Sequence, residues 1–168
     1  MSLPGDAFGN PLPYFPSTFV RAIAESLARW MPHHVILERT LHQEDINASV
    51  GVYAEEWTSN QDTFVMGGQV EPVESAYHLR VRNLVKAMDE ETGRALFSND
   101  AKMIKVILYR DPDLRVRLGE LQETMMDTIE RFKRFRVTRQ QYASARMSGV
   151  FQYVATTEVI IDTETTLL

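Results

Sequence analysis

The sequence predicts an α+β fold: a single domain in which a mostly antiparallel sheet is packed by an N-terminal helix and a central helix and ends in a C-terminal strand pair. Three observations predict it. Between Tyr77 and Ala87, the side chains of Tyr77, Leu79, Val81, Val85 and Ala87 share one face at period two, and those of His78, Arg80, Arg82 and Lys86 share the other, as in a half-buried strand. Leu96, Met103, Ile104, Ile107 and Leu108 then recur at close to the helical period. From Val150 to Asp162, Phe151, Tyr153, Ala155, Thr157, Val159 and Ile161 lie on one side in the longest clean alternation of the chain.

Residues 1–16 hold four prolines and two glycines, which deny them a helix or a ladder, so an extended arm is expected ahead of a domain spanning 17–168. Phe8, Leu12, Tyr14 and Phe15 are costly to leave in water and predict that the arm packs on its own or a neighbouring subunit. Ser17 is the expected cap of a first helix with the apolar stripe Phe19, Val20, Ile23, Leu27 and Trp30, ending before Pro32. Val35 to Thr40 and Val50 to Trp57 read as strands joined through a polar turn at Gln43 to Asn47, an expected hairpin. Thr58 to Gly68, with Asn60, Asp62 and the Gly67-Gly68 pair, reads as an exposed loop, and Val70 to Glu74 leads into the strand of Tyr77.

Asp89 offers a side-chain oxygen to the free amides of the central helix, and Glu90 and Glu91 suit the positive end of its dipole. Asp111-Pro112 stops that helix, because proline disfavours a helical residue before it. Asp113 to Leu121 predicts a short second helix and Thr128 to Tyr142 a long strand with a basic edge. Ala143 to Gly149 turns the chain back into the final strand, which is expected to pair antiparallel with its predecessor.

With 168 residues and 44% apolar content, the chain suits one domain with a real core. No run approaches the roughly 18 to 20 apolar residues that span a bilayer, and the N-terminus lacks a basic flank before an apolar stretch, so neither a membrane nor a secreted protein is expected. The absence of cysteine removes disulfides, thiolate nucleophiles and sulfur-ligated zinc.

Phosphate-cradling, dinucleotide-binding, nucleophile-elbow and zinc-protease motifs are all missing, and no cofactor is implied. His33, His34, His42 and His78 show no ligand spacing and read as surface histidines. Glu55-Glu56 on a strand would point to opposite faces, a poor arrangement for paired acid and base. No enzyme is expected.

Charge is distributed unevenly. From Thr40 to Glu74 there are seven acids, Glu55, Glu56 and Asp62 among them, and no Lys or Arg. From Arg131 to Arg146 there are six bases, Arg131, Lys133, Arg134, Arg136, Arg139 and Arg146, and no acid. Such a stretch with Phe132, Phe135 and Tyr142 nearby could bind nucleic acid, although charged residues on a strand edge are usually solvation or edge protection. Separate patches of opposite sign also suit head-to-tail association, which closes into a ring when the rotation permits.

The strings HLRVRNLVKAMDEETGRALF, ILYRDPDLR, ERFKRFRVTRQQY and GVFQYVATTEVIIDTET, within residues 75–165, resemble the tail terminator or tail-completion proteins of long, non-contractile-tailed bacteriophages, particularly those infecting actinobacteria. The resemblance implies a compact α+β virion protein without enzymatic activity. It would form a hexameric ring at the head-proximal end of the tail tube, terminating tube growth and joining the tail to the head. Its implied partners are further copies of itself, the tube protein and a head-closure protein, with genome DNA passing through the channel unbound. The expected subunit interface takes in the six bases together with Glu55, Glu56 and Asp62, and an acidic lumen would repel DNA phosphates. The arm, through Phe8, Tyr14 and Phe15, and the Thr58 to Gly68 loop are expected to reach adjacent rings. Alternatives are another neck component or the tube protein, and, from a different class, a nucleic-acid-binding module using 131–146.

Overall fold

A computed structural model describes residues 15–59 and 73–167. Most of the arm, with Phe8 and Tyr14, and most of the Thr58 to Gly68 loop, with Asp62, lie outside the described residues. The elements run α1 (Ser17–Trp30), β1 (Val35–Leu37), β2 (Ser49–Ser59), β3 (Val73–Ala87), α2 (Glu90–Arg110), α3 (Pro112–Glu120), β4 (Gln122–Met125), β5 (Thr128–Met147) and β6 (Val150–Leu167). Six strands form one curled sheet in the order β1-β2-β3-β6-β5-β4, and the fold is a single α+β domain.

The two stretches of clearest alternation become the centre of the sheet. β3 and β6 pair antiparallel along β3's full length, from Val73 opposite Thr165 to Ala87 opposite Phe151. Tyr77, Leu79, Val81, Val159 and Ile161 from these strands meet Phe19, Ile23 and Leu27 of α1, Ile104 and Leu108 of α2, and Leu114 and Leu118 of α3 in one buried cluster. Val85, Phe97, Ala101, Tyr153 and Ala155 form a second cluster under the first half of α2. All three helices therefore cover the same face.

α2 begins as expected, with the Asp89 carboxylate accepting from the Thr92 amide at 2.8 Å. Its second half buries Ile104, Ile107 and Leu108 as expected, but in the first half Phe97 and Ala101 go inward, whereas Leu96 is half exposed. Gly93 allows this, because a Cβ there would lie 2.8 Å from Ala87 Cβ and 2.9 Å from the Tyr153 ring. α1 departs in two ways. Its cap position is Pro16, with Ser17 already helical and making no side-chain cap, and Trp30 is 53% exposed because Met31, just past the helix end, takes the buried place.

Asp111 ends α2 and caps α3, accepting from the Asp113 amide at 3.1 Å. Ser26 of α1 donates to the same buried carboxylate, and Arg29 stands 3.8 Å away. Burial alone would push this carboxyl up, but these donors outweigh it and hold it below its ordinary range. One side chain thus ties three helices together.

The expected hairpin of the first two strands is a correction. β1 pairs parallel with the start of β2, Val35 opposite Ser49 and Leu37 opposite Gly51. A tight turn cannot connect parallel neighbours, so residues 38–48 carry the chain back past its own start. Asp45 organises that excursion by accepting from Arg39 at 2.6 Å and from the His42 amide at 2.5 Å, which lowers its pKa to about 2. The last two strands do pair antiparallel as expected, but the turn is only Ser148-Gly149. Both residues have positive φ, which matches the twist of a two-residue hairpin. β4 was not anticipated; its hairpin to β5 turns at Met126, also at positive φ.

A Cβ on Gly51 would meet the Arg39 carbonyl oxygen at 2.5 Å and Leu41 Cγ at 2.9 Å, whereas one on Gly119 of α3 meets nothing within 4 Å. Gly51→Ala should lose about 1 to 3 kcal/mol in urea unfolding through overpacking against backbone. Gly119→Ala should gain about 0.5 to 1 kcal/mol by stiffening the unfolded chain.

Candidate interaction surface

The face of the sheet opposite the helices is covered by charged side chains, and its order comes from where β2 and β5 break their own alternation. Phe132, Phe135, Val137 and Gln140 face the helices although their spacing is 3, 2 and 3. One extra residue at Lys133 and another at Thr138 absorb the odd steps, each at a shift in the pairing of β5 with β6. Glu55 does the same in β2 between Ala54 and Glu56, keeping both Ala54 and Trp57 on the helix side. These are β-bulges, which add twist and re-aim side chains.

With that register, the expected interface residues come together on the outer face. Arg134 and Arg136 both hold Asp162, at 2.9 and 3.0 Å. Arg139 reaches Glu158 at 2.8 Å, and Glu158 also faces Arg80, which in turn lies 2.5 Å from Glu55. Arg80 Nε finds no well-aligned hydrogen bond despite that proximity, so we take this contact as an ion pair rather than a directed bond. Lys133 pairs with Glu74 and with Glu164, and both raise its pKa. Glu56 is 3.8 Å from His78. The basic stretch is thus matched mainly by the acids of β6 and the acids of β2 by Arg80 and His78 of β3, in a lattice running from β2 through β3 and β6 to β5, with Lys133–Glu74 the pair that joins the two stretches directly.

Two of the six bases stand apart. Arg131 is exposed with no ion-pair partner among the described residues, and Arg146 lies over the Phe151 ring at 5.2 Å on the helix side. Phe15, expected in an arm reaching a neighbour, is instead 5% exposed in the subunit's own core, stacked on Phe19 at 4.1 Å with its amide donating to Glu123 at 3.1 Å. Among the described residues no three His, Asp or Glu side chains converge as a metal site; His34 Nε2 is held by Asp100 at 3.0 Å. No described helix is long and apolar enough to cross a membrane.

Sequence reasoning missed a cleft of about 560 Å³ between α2 and the far half of β5. Arg94, Ser98, Lys102 and Lys105, spaced 4, 4 and 3, form one wall as a stripe along α2, and Phe97, Tyr142 and Tyr153 are the aromatic part of its lining. The helical spacing of the bases was the available signal. It was hidden because the facing wall comes from residues about forty positions later.

Burial pushes the Asp162 carboxyl up, but hydrogen bonds from Arg136 and Arg134 outweigh it and hold it below the usual carboxylate range. Asp162→Asn removes the charge that two partly exposed guanidiniums share and should cost about 0.5 to 1 kcal/mol near neutral pH. Because the folded pKa is the lower one, this contribution is complete above the unfolded pKa and fades as pH falls through the folded value. The gap between wild type and variant should therefore narrow as the pH falls through and below the ordinary carboxylate range in acid-unfolding curves.

No protein-family model matches this chain, and no curated protein is significantly similar to it.

Proposed function

We propose that this chain is a bacteriophage virion protein that assembles into a ring, of six copies by the resemblance, at the head-proximal end of a long non-contractile tail. There it ends tube growth and joins tail to head. The observation that carries the reading is a sheet left unfinished on both sides. β1 covers only Ser49 to Gly51 of β2, and β4 covers only Thr128 to Arg131 of β5, so long stretches of both strands have no neighbour among the described residues. Such edges are a hazard for a protein that works alone and a resource for one that adds a neighbour on each side.

The ion-pair lattice bears on the nucleic-acid alternative. Four of the six bases of 131–146 are already matched by carboxylates of the same chain, which leaves β5 little free charge to offer phosphates. A ring built of such subunits, each with net charge -5, suits a channel that DNA crosses without adhering. The same pairs make Arg134→Glu or Arg136→Glu a poor assembly test, since reversal would first repel Asp162 within the subunit.

The direct test is electron microscopy of lysates from a phage with a nonsense mutation in this gene. Filled heads beside unattached, overlong tails are the expected outcome. Free tails of normal length would move the chain to a head-closure role, heads without tails would make it the tube protein, and intact infectious particles would end the virion reading.

A further inference from the structure

The two unfinished edges are unlike each other. On the β2 edge, beyond the reach of β1, Trp57 stands 57% exposed on the helix side, resting on Tyr77 with ring centres 6.1 Å apart. Its predecessor Glu56 points to the outer face and keeps 61% of its side chain exposed. On the β5 edge, beyond the reach of β4, Tyr142 is 62% exposed on the helix side and stands beside the cleft under α2. Lys102 and Lys105 overhang that cleft and have no ion-pair partner among the described residues. Arg139, on the outer face of the same strand, keeps 58% of its side chain exposed.

We propose that the β2 edge of one copy docks on the β5 edge of the next, continuing the sheet between subunits and seating Trp57 in the α2–β5 cleft. The inference rests on the ring reading and names its contact. The parity of the strands supports it on both faces. When two sheets join edge to edge, each face continues into its counterpart, so Trp57 arrives on the side of Tyr142, Phe97 and the two lysines. There an indole meets an aromatic wall and a pair of ammonium groups, an arrangement that favours Trp above other rings. The arriving edge carries Glu55 and Glu56, and the charged residues of the receiving strand from Arg131 to Arg146 are all bases, so the charges also complement each other.

The bulges fit the same contact. β5 carries its extra residues at Lys133 and Thr138, whereas Arg139 to Met147 pairs with β6 in unbroken register and offers a regular edge where the cleft lies. Bulged, charged strand resists casual pairing, so the segments open to it are this one and, on β2, the short regular run from Glu56 to Ser59 beyond the extra residue at Glu55. The contact is heterologous, since an acidic edge with a Trp meets a basic edge with a cleft, and such contacts propagate around a ring instead of stopping at a pair.

The chain has no cysteine, so introduced thiols report only on the designed positions. Thr58→Cys on the exposed outer side of β2 is mixed with Gln141→Cys, Ala143→Cys or Ala145→Cys on the exposed outer side of β5. Three β5 positions are tried because the inter-copy register is open. The expected result is a disulfide-linked dimer in at least one mixture and in none of the single variants, with a ladder ending at the ring size when both thiols are in one chain. Trp57→Ala should weaken association about tenfold or more in sedimentation, while its monomer stays folded with the far-ultraviolet circular dichroism of wild type. An assembly of full size with no cross-link in any mixture overturns this contact and leaves the ring standing. Cross-linking of a single variant with itself overturns the head-to-tail arrangement. A chain that stays monomeric at every concentration, with no cross-link, overturns the contact and the ring together.

Discussion

The structure depends on one constraint: β3 and β6 form a long antiparallel ladder that is apolar on one face only. Tyr77, Leu79, Val81, Val159 and Ile161 cannot be left in water, and no second sheet is present to cover them among the described residues. Three helices do so, and each is fixed by that duty. α1 brings Phe19, Ile23 and Leu27, α2 brings Ile104 and Leu108, and α3 brings Leu114 and Leu118. Asp111 sets their relative placement because it is at once the stop of α2, the cap of α3 and the acceptor of Ser26 from α1. A buried carboxylate with its donors removed would be a heavy penalty, so the three helices form a unit or none at all.

The opposite face solves a different problem. A row of Arg on one strand repels itself, and so does a row of acids, yet each is soluble and discourages pairing. Laying β6 between β3 and β5 places Glu158, Asp162 and Glu164 among Arg80, Lys133, Arg134, Arg136 and Arg139. Most of these side chains remain partly in water, where single pairs are worth little, so the lattice contributes more to register than to stability. A slip of β5 by one residue would turn Phe132, Phe135 and Val137 outward and the guanidiniums into the core.

That arrangement explains which parts were legible in the sequence. β3, β6, the Asp89 cap and the Asp111-Pro112 stop were readable because each rests on neighbours in the chain or on an uninterrupted period. The parallel β1–β2 pair was not, since strand direction depends on where residues 38–48 travel, and Asp45 decides that through contacts with Arg39 and His42 that no periodicity encodes. β5 looked irregular because its bulges interrupt the count at Lys133 and Thr138; with those two residues set aside, Phe132, Phe135 and Val137 fall at every second position. Charge segregation was real along the chain and absent across the sheet, because antiparallel partners are chosen by topology and not by sequence distance. The α2–β5 cleft combines both difficulties, with a helical stripe for one wall and a strand for the other.

Edge design gives the fold its asymmetry. A monomer with nothing to bind has reason to bulge, charge or cover every strand edge, and this chain does so selectively. Its short strands β1 and β4 cover one end of β2 and of β5, and bulges with charged neighbours protect the middle. What is left open is regular strand from Arg139 to Met147 on one side and, on the other, the run that holds Trp57, where an exposed indole is held flat on Tyr77. An aromatic ring kept rigid in water loses little conformational freedom on binding, and a cleft already lined with Phe97 and Tyr153 needs little rearrangement to receive one. In the proposed contact the knob and the socket sit at opposite edges of the same face, so occupying one would leave the other free, and each added subunit would present the edge that the next requires. Growth of that kind stops only when the last free edge meets the first, which is the property a ring subunit needs and a dimer-forming surface lacks.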